Sequence, residues 1–351
     1  MNVNVRPMAS MAATFTACLL FEATAADSAS PAEGQLLGGK ETTYPAWFKE
    51  SFLEVGADVA EAGDEGRRLI LFFHQDNCPY CNALVERNLS QKHIEEKMRR
   101  HFDVVALNLR GDREVVSIDG TSYSEKDFAL ALNVRFTPTL LFLDEEGNLV
   151  LRLNGYVPPP EFEAALDYVA ARMESGDVGF REYAAGVLQP GDAGALHREP
   201  FFSDPPYDLS RAPGPGKPLA VFFEQKQCPA CDTLHEDVIA DETTLRLLEP
   251  FESIQLDMWS GQAVITPDGR HTTARLWASA LDVQYAPTIV LFSPAGEEII
   301  RMEAVFKRFH AQSVLDYAAS GAYLEQPDFQ RFLTERTNRI RASGQDVDIW
   351  K

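Results

Sequence analysis

The fold of this chain is indicated by residues 69–81, Leu69-Ile70-Leu71-Phe72-Phe73-His74-Gln75-Asp76-Asn77-Cys78-Pro79-Tyr80-Cys81. A short, continuous apolar run of this kind is typical of a strand buried on both faces. Proline is favoured in the first turn of a helix, where its missing N–H costs nothing. The stretch therefore predicts a buried strand, a turn, and a helix that begins at the two cysteines.

The same pattern recurs about 150 positions later, where Leu219-Ala220-Val221-Phe222-Phe223 precedes Cys228-Pro229-Ala230-Cys231. Matches continue beyond the cysteines: residues 134–139 align with 283–288, and Leu166-Asp167-Tyr168 aligns with Leu315-Asp316-Tyr317. A fixed repeat period indicates a repeated structural unit. The chain is therefore predicted to contain a duplicated domain.

Within one copy the apolar runs and turn residues predict strands over 69–73, 104–107, 139–143 and 149–153, with a closing helix over 159–173. A leading helix is expected over 44–62. The order β-α-β, then β-hairpin, then α predicts an α/β fold with a mixed central sheet covered by helices.

The repeat also sets the expected domain boundaries. We predict a first domain over 44–173, a linker with an appendage over 174–216, a second domain over 217–322 and a helical appendage over 323–351. The linker assignment rests on several prolines and glycines, with Pro213-Gly214-Pro215-Gly216 at its end.

Charge argues against nucleic acid as a partner. The chain of 351 residues has 32 Lys and Arg against 53 Asp and Glu, a formal charge of −21, without a basic stripe to offset it. Binding to nucleic acid requires neutralisation of phosphates. The charge is expected to serve solubility.

The first 25 residues have the pattern of a signal peptide. Arg6 precedes an apolar stretch from Met8 to Phe21, and Ala23-Thr24-Ala25 supplies small residues for cleavage before Ala26. Export to the periplasm is therefore expected. An alternative is lipoprotein processing at Cys18, which follows Phe15-Thr16-Ala17.

Four of the five cysteines lie in the two Cys-x-x-Cys pairs. A thiolate is the nucleophile in thiol-disulfide exchange, and the positive end of a helix stabilises it. Cys78 and Cys228, at the helix starts, are predicted to attack a substrate disulfide. Cys81 and Cys231, one turn deeper, are predicted to resolve the mixed disulfide.

Pro138 and Pro287 each follow a dithiol by about sixty residues and open a buried strand. Proline cannot donate to a central ladder, so this position predicts an edge feature or a cis turn with a purpose. A cis proline beside the dithiol would expose backbone groups to an extended substrate. Thr137, Ala286 and a partly exposed Tyr80 are further predicted substrate contacts.

Together these residues resemble the thioredoxin superfamily, and within it the periplasmic group that includes the SoxW-type proteins. The likeness rests on Cys-Pro-x-Cys after Phe-Phe, on Asp119-Gly120 and Asp268-Gly269, on Thr-Pro-Thr or Ala-Pro-Thr, and on the tail 346–350. It occurs in both copies, which together cover nearly the whole mature chain. It implies active sites formed by Cys78, Cys81 and Pro138 and by Cys228, Cys231 and Pro287.

The resemblance implies a disulfide reductase without a cofactor. Its expected substrates are oxidised or misfolded secreted proteins, and its expected electron donor is a membrane thiol-electron transporter or a partner thioredoxin. Two departures stand out: Asn77 and Gln227 replace the usual Trp, and Phe72 and Phe222 replace the usual buried Asp. Water, or a nearby group such as His74 or Glu224, must then accept the proton of the resolving cysteine.

Other functions remain open at this point. Two distant Cys-x-x-Cys pairs can hold zinc, but neither has a local Cys or His pair to complete a site. The protein could instead be a disulfide isomerase or oxidase, or a binding or chaperone module with one silent dithiol. The plainer Ala230 and Ala286 make the second dithiol the expected silent one. The histidines are expected to be surface or core residues, although His74 and His235 lie near dithiols.

Overall fold

The computed structural model describes residues 32–188, 194–211, 216–304 and 306–351. The predicted signal peptide, Cys18 and most of the Pro-Gly run at 213–216 lie outside these residues. In the described part, no helix is long and apolar enough to cross a membrane.

The first domain alternates strands and helices around one sheet. Its elements are β1 (Leu36–Leu37), α1 (Val55–Asp64), β2 (Arg68–His74), α2 (Pro79–Ala83), a π-helical stretch (Leu84–Leu89), α3 (Lys92–His101), β3 (Phe102–Asn108), β4 (Glu114–Val116), β5 (Ser122–Ser124), α4 (Glu125–Ala131), β6 (Thr139–Leu143), β7 (Leu149–Asn154), α5 (Pro159–Ala170) and α6 (Phe180–Leu188).

The main sheet of this domain has the strand order β3-β2-β6-β7. Strand β2 is central, parallel to β3 and antiparallel to β6. One face packs around Phe72 and Phe142, and the other around Leu71 and Phe73. Burial on both faces explains why residues 69–73 are continuously apolar.

The second domain repeats this plan. Its elements are β8 (Tyr207–Asp208), β9 (Leu219–Glu224), α7 (Pro229–Thr233), a π-helical stretch (Leu234–Ile239), α8 (Glu242–Leu248), β10 (Glu252–Asp257), β11 (Ala263–Ile265), β12 (His271–Thr273), α9 (Ala274–Ala280), β13 (Thr288–Phe292), β14 (Glu298–Glu303), α10 (Arg308–Ala319), α11 (Phe329–Ala342) and β15 (Val347–Asp348).

The second sheet has the order β10-β9-β13-β14, which matches the first sheet strand for strand. The predicted α/β fold with mixed sheets covered by helices is therefore confirmed in both copies. The predicted strands are also present, each extended by no more than a few residues.

Two predicted helix boundaries need correction. The leading helix does not span 44–62 but begins at Val55, after Leu53 adopts a left-handed backbone conformation with φ 64°. Helix α5 ends at Ala170, before Arg172 enters the same left-handed region. Backbone in that region cannot continue a right-handed helix.

The predicted linker at 174–216 is partly structured. Helix α6 packs onto the first domain, where Phe180 lies 5.5 Å from Tyr168 between ring centroids. Strand β8 pairs in parallel with β11 of the second domain. Of the interval between α6 and β8, the described residues 194–206 contain turns and one isolated bridge, from Phe202 to Ser253.

The two domains contact each other through equivalent aromatic residues, Tyr285 and Phe136. The hydroxyl of Tyr285, next to the second cis proline, accepts the N–H of Asn154 and donates to its carbonyl at 3.1 and 3.0 Å. Phe136 holds the equivalent position in the first domain, and its ring packs 5.3 Å from that of Phe306. Each domain thus inserts an aromatic residue into the other.

The first described strand pairs with the C-terminal tail beside the first dithiol. Strands β1 and β15 pair in parallel, with Leu36 opposite Val347. The N–H of Ile349 donates to Leu37 O at 3.0 Å. This pairing fixes the C-terminal tail, residues 347–351, against the rest of the molecule.

Candidate active sites

Each Cys-x-x-Cys pair forms a disulfide at a helix start. In the first pair the Cα atoms of Cys78 and Cys81 are 5.3 Å apart, and in the second those of Cys228 and Cys231 are 5.1 Å apart. The leading cysteine caps the helix: Cys78 Sγ accepts the N–H of Cys81 at 3.1 Å, and Cys228 Sγ accepts that of Cys231 at 3.0 Å. This hydrogen bond and the helix dipole both favour a thiolate on the leading sulfur.

A proline loop adjoins each disulfide. The Thr137-Pro138 and Ala286-Pro287 peptide bonds are cis, and the prolines directly precede β6 and β13. Cys78 Sγ lies 3.4 Å from Thr137 Oγ1 and 3.7 Å from Thr137 O. Ala286 lacks this hydroxyl, so the two leading sulfurs have different neighbours.

In both sites the residue before the leading cysteine has a left-handed backbone conformation. Asn77 and Gln227 have φ values of 55° and 52°. Such a conformation is uncommon for residues other than glycine. It turns the chain from the strand so that the leading cysteine reaches the helix start.

The first dithiol is covered by the second domain. Pro79 is buried and Tyr80 is only 7% exposed. The Tyr80 hydroxyl accepts the N–H of Lys307 at 2.9 Å and lies 3.2 Å from His310 Nδ1. Its ring packs edge-on against Trp350, with centroids 5.1 Å apart. The expectation that Tyr80 is partly exposed is therefore wrong, because α10 and the tail cover it.

His310 is suited to this contact in its neutral form. Burial lowers the pKa of His310 to about 4, so the imidazole is uncharged near neutral pH. Its Nδ1 can then accept the hydroxyl proton of Tyr80. Burial also raises the pKa of Tyr80, which keeps the phenol protonated as this donor.

The second dithiol has a more open surface. Pro229 and Asp232 are exposed and Ala230 is partly exposed, although Cys228 itself is 5% exposed. Ala230 has no ring to contact the first domain. An extended peptide can approach this dithiol without displacing a side chain like Tyr80.

A buried acid-histidine network lies next to the second dithiol. Glu224 is fully buried, and its Oε1 lies 3.0 Å from His235 Nε2. The other ring nitrogen of His235 lies 2.8 Å from Glu199 Oε1. Burial lowers the pKa of His235, but the hydrogen bonds and charges of the two carboxylates outweigh it and raise that pKa above its usual value.

His235 belongs to the helical segment that carries the resolving cysteine. His235 follows Cys231 by four residues in one continuous helical segment, so the two side chains lie on the same face. Glu224 was predicted as a replacement proton acceptor, and its contact with His235 extends that prediction to a hydrogen-bonded pair. Its catalytic role stays a prediction.

The two equivalent positions in the first domain do not hold an acid and a histidine that could pair. His74 occupies the position of Glu224, with its ring packed 4.6 Å from that of Tyr44, and burial lowers its pKa. Val85 occupies the position of His235. The two sites thus differ in proton-accepting groups as well as in access.

Each domain contributes a side chain to the pocket at the proline loop of the other, and neither side chain was predicted from the sequence. His310 and Glu161 are equivalent residues near the starts of α10 and α5, and neither lies near a cysteine in sequence. The repeat alignment pairs them, and this was the one available signal. Within the described ranges, no cluster of three or more His, Cys, Asp or Glu residues could hold a metal ion.

The fold and the two disulfides at helix starts define a protein of the thioredoxin class. A family model for the thioredoxin-like domain matches residues 55–170 and again 205–319. The chain belongs to this family and contains two tandem copies of its domain. The SoxW-type likeness within the family stays a prediction. A comparison with curated proteins gives no match.

Solved structures of single thioredoxin-like domains are also similar. A thioredoxin-fold protein from Helicobacter pylori is 19% identical, covering 41% of this chain and 88% of its own, with a TM-score of 0.33. A thioredoxin from Thermus thermophilus is 26% identical, covering 33% and 83%, with a TM-score of 0.27. The oxidised C-terminal domain of Neisseria meningitidis DsbD is 16% identical, covering 36% and 98%, with a TM-score of 0.26. The family assignment rests on the family model alone.

Proposed function

We propose that this protein is an exported protein thiol-disulfide oxidoreductase that works as a reductase. The observation behind the proposal is the repeated site: a disulfide at a helix start, with the leading sulfur accepting a backbone N–H and a cis-proline loop beside it. This arrangement supplies an attacking thiolate, a resolving thiol and a backbone edge for a peptide.

The reaction proceeds through a mixed disulfide. The Cys228 thiolate attacks one sulfur of a client disulfide, and the other client sulfur leaves and takes up a proton. The Cys231 thiolate then attacks Cys228 Sγ, which releases the second client thiol and forms the Cys228–Cys231 disulfide. A donor dithiol, from a membrane thiol-electron transporter or a partner thioredoxin, reduces this disulfide again.

We assign the client-facing role to the second dithiol. Its Pro229 and Ala230 are accessible, whereas Pro79 and Tyr80 are covered by the second domain. This differs from the expectation that the second dithiol is silent. That expectation rested on the small Ala230 and Ala286, but small residues also leave room for a client.

Trapping of mixed disulfides tests the assignment. In the full chain, Cys231→Ala should accumulate a covalent complex with a disulfide-containing client protein, and Cys81→Ala should accumulate much less. The complexes are quantified on non-reducing gels and identified by mass spectrometry. Equal trapping by both variants contradicts the division of roles, and no trapping by either supports a binding or chaperone module.

Redox titration tests the direction of electron flow. A reductase is expected to have a potential near that of thioredoxin, about −270 mV, whereas strong oxidants lie near about −120 mV. The potential of each pair is measured by equilibration with glutathione buffers and alkylation. A value close to the second figure for the Cys228–Cys231 pair contradicts the reductase proposal and favours an oxidase.

Export is tested with the full-length chain. The proposal rests on residues 1–25, and it predicts a mature N-terminus at Ala26 in the periplasmic fraction of a Gram-negative host. N-terminal sequencing of the fractionated protein measures this. A mature N-terminus at a lipid-modified Cys18 would show the lipoprotein alternative instead.

A further inference from the structure

The two dithiols have equivalent pockets, each completed by the opposite domain. Around the first, Phe306 and His310 of the second domain face Thr137 and the dithiol. Around the second, the equivalent residues are Val157 and Glu161 of the first domain, which face Ala286 and Tyr285. The repeat therefore allows the two pockets to be compared position by position.

The first pocket is filled from inside the molecule. The phenol of Tyr80 lies against His310 and Trp350, and both hydrogen-bonding capacities of its hydroxyl are used, one with Lys307 N and one with His310 Nδ1. The first pocket therefore accommodates an aromatic ring that ends in a hydroxyl group.

The second pocket is not filled by the corresponding residue, because Ala230 replaces Tyr80. A cavity of about 50 Å³ remains, lined mainly by apolar side chains such as Leu153, Val157 and Phe180. A cavity of this size has room for a few water molecules or for the end of one side chain.

Two acceptors in this cavity are unsatisfied. Glu161 Oε2 and Gln284 Oε1 are both buried, and no group in the described part of the chain donates a hydrogen bond to either. Burial raises the pKa of Glu161. Buried polar atoms normally have a partner, and leaving one unpaired is costly. The cavity thus presents acceptors to a donor that comes from outside.

The cavity contains a basic side chain as well as the acidic Glu161. Arg181 lines the same cavity and is buried, with its guanidinium 5.0 Å from the ring centroid of Trp259. Glu161 would attract a second cation and Arg181 would repel it, so the charges of the lining do not select a lysine or arginine side chain over a neutral donor.

We propose that this cavity is a side-chain subsite of the second dithiol, which takes a tyrosine-like side chain of the client peptide close to the cysteine that is attacked. The inference deepens the proposed function and rests on it. Tyr80 is the internal counterpart of this client side chain at the first dithiol, and Glu161 is the group that accepts the client hydroxyl proton.

A series of disulfide-linked peptides tests the subsite. The peptides differ at one residue near the cysteine, with Tyr, Phe, Leu or Lys, and kcat/KM for their reduction by the full chain is measured with a dithiol donor in excess. The tyrosine peptide is expected to exceed the phenylalanine peptide by about tenfold, because a site built to bond a hydroxyl discriminates against its absence.

Variants of Glu161 identify the acceptor. Glu161→Leu should bring the ratio of tyrosine to phenylalanine peptides to about one, and Glu161→Gln, which keeps an acceptor oxygen, should retain most of it. Glu163→Leu, on the same helix but paired with Lys97 outside the cavity, is the matched control and should keep the wild-type ratio.

The outcomes separate the inference from the proposed function. Equal kcat/KM values for all peptides in the wild type, or a preference for tyrosine that persists in Glu161→Leu, overturn the subsite while the reductase activity stands. Failure of the wild type to reduce any of the peptides or a protein client overturns the proposed function itself.

Discussion

Removal of the Trp350 side chain should expose the first dithiol. Trp350 lies in the C-terminal tail, far from Cys78 in sequence, and its ring packs against Tyr80 with centroids 5.1 Å apart. The Lys307 ammonium lies 5.6 Å from the centre of the same ring. Trp350→Ala removes both contacts without changing any residue of the dithiol.

The expected effect follows from these contacts. An edge-on aromatic pair is worth about 1 kcal/mol beyond its buried area, and a partly exposed cation-π contact is worth about 0.5–1 kcal/mol. Their loss should favour the uncovered state by about 2 kcal/mol, which corresponds to an increase of about thirtyfold in its population.

Alkylation of the reduced protein measures this population. When opening and closing are fast compared with the chemical step, the alkylation rate of Cys78 follows the open fraction. The rate, measured by mass spectrometry with N-ethylmaleimide, should rise about thirtyfold in Trp350→Ala, with Cys228 in the same molecule unchanged.

The matched control is Phe52→Ala, since Phe52 is 98% exposed and its removal should change neither rate. Equal Cys78 rates in wild type and Trp350→Ala would refute the argument that the tail covers this dithiol. A parallel rise at Cys228 would point to general unfolding instead.

Two further predictions concern buried charges. Glu145 accepts hydrogen bonds from buried Arg68, which lower the pKa of Glu145 to about 2. Glu145→Gln should therefore reduce the free energy of unfolding, measured in urea at pH 7, by about 2 kcal/mol. This difference should shrink as pH falls from about 4.5 towards 2, because a carboxylate with a depressed pKa stabilises the fold only while it is ionised. For His235 the sign is opposite: its raised pKa stabilises the fold at low pH, and this contribution is lost as pH rises through the raised pKa. Its NMR titration midpoint should lie above about 6.5 and fall in Glu224→Gln, and a wild-type midpoint at or below that value contradicts the charged network.

Much of each site could be predicted, because its residues either lie close together in the sequence or recur at equivalent positions of the two copies. The cysteines follow a buried strand directly, so Cys78 and Cys228 could be placed at helix starts from local pattern alone. Pro138 and Pro287 could be placed because they open strands that pair with the preceding strand of the dithiol. Hydrophobic periodicity and turn residues are local properties of the sequence. Because the domain is duplicated, the same pattern occurs twice and each copy supports the prediction made from the other.

The sequence by itself determined two domains, two mixed sheets and the residue composition of two dithiol sites, since these depend on hydrophobic pattern and on spacing within one copy. Only the tertiary structure decided that the sites are unequal. The burial of Tyr80 beneath His310 and Trp350 depends on how the domains pack, and the His235–Glu199 contact depends on where the connecting segment lies. Contacts between residues far apart in sequence leave no local signal, because either partner alone is compatible with many neighbours.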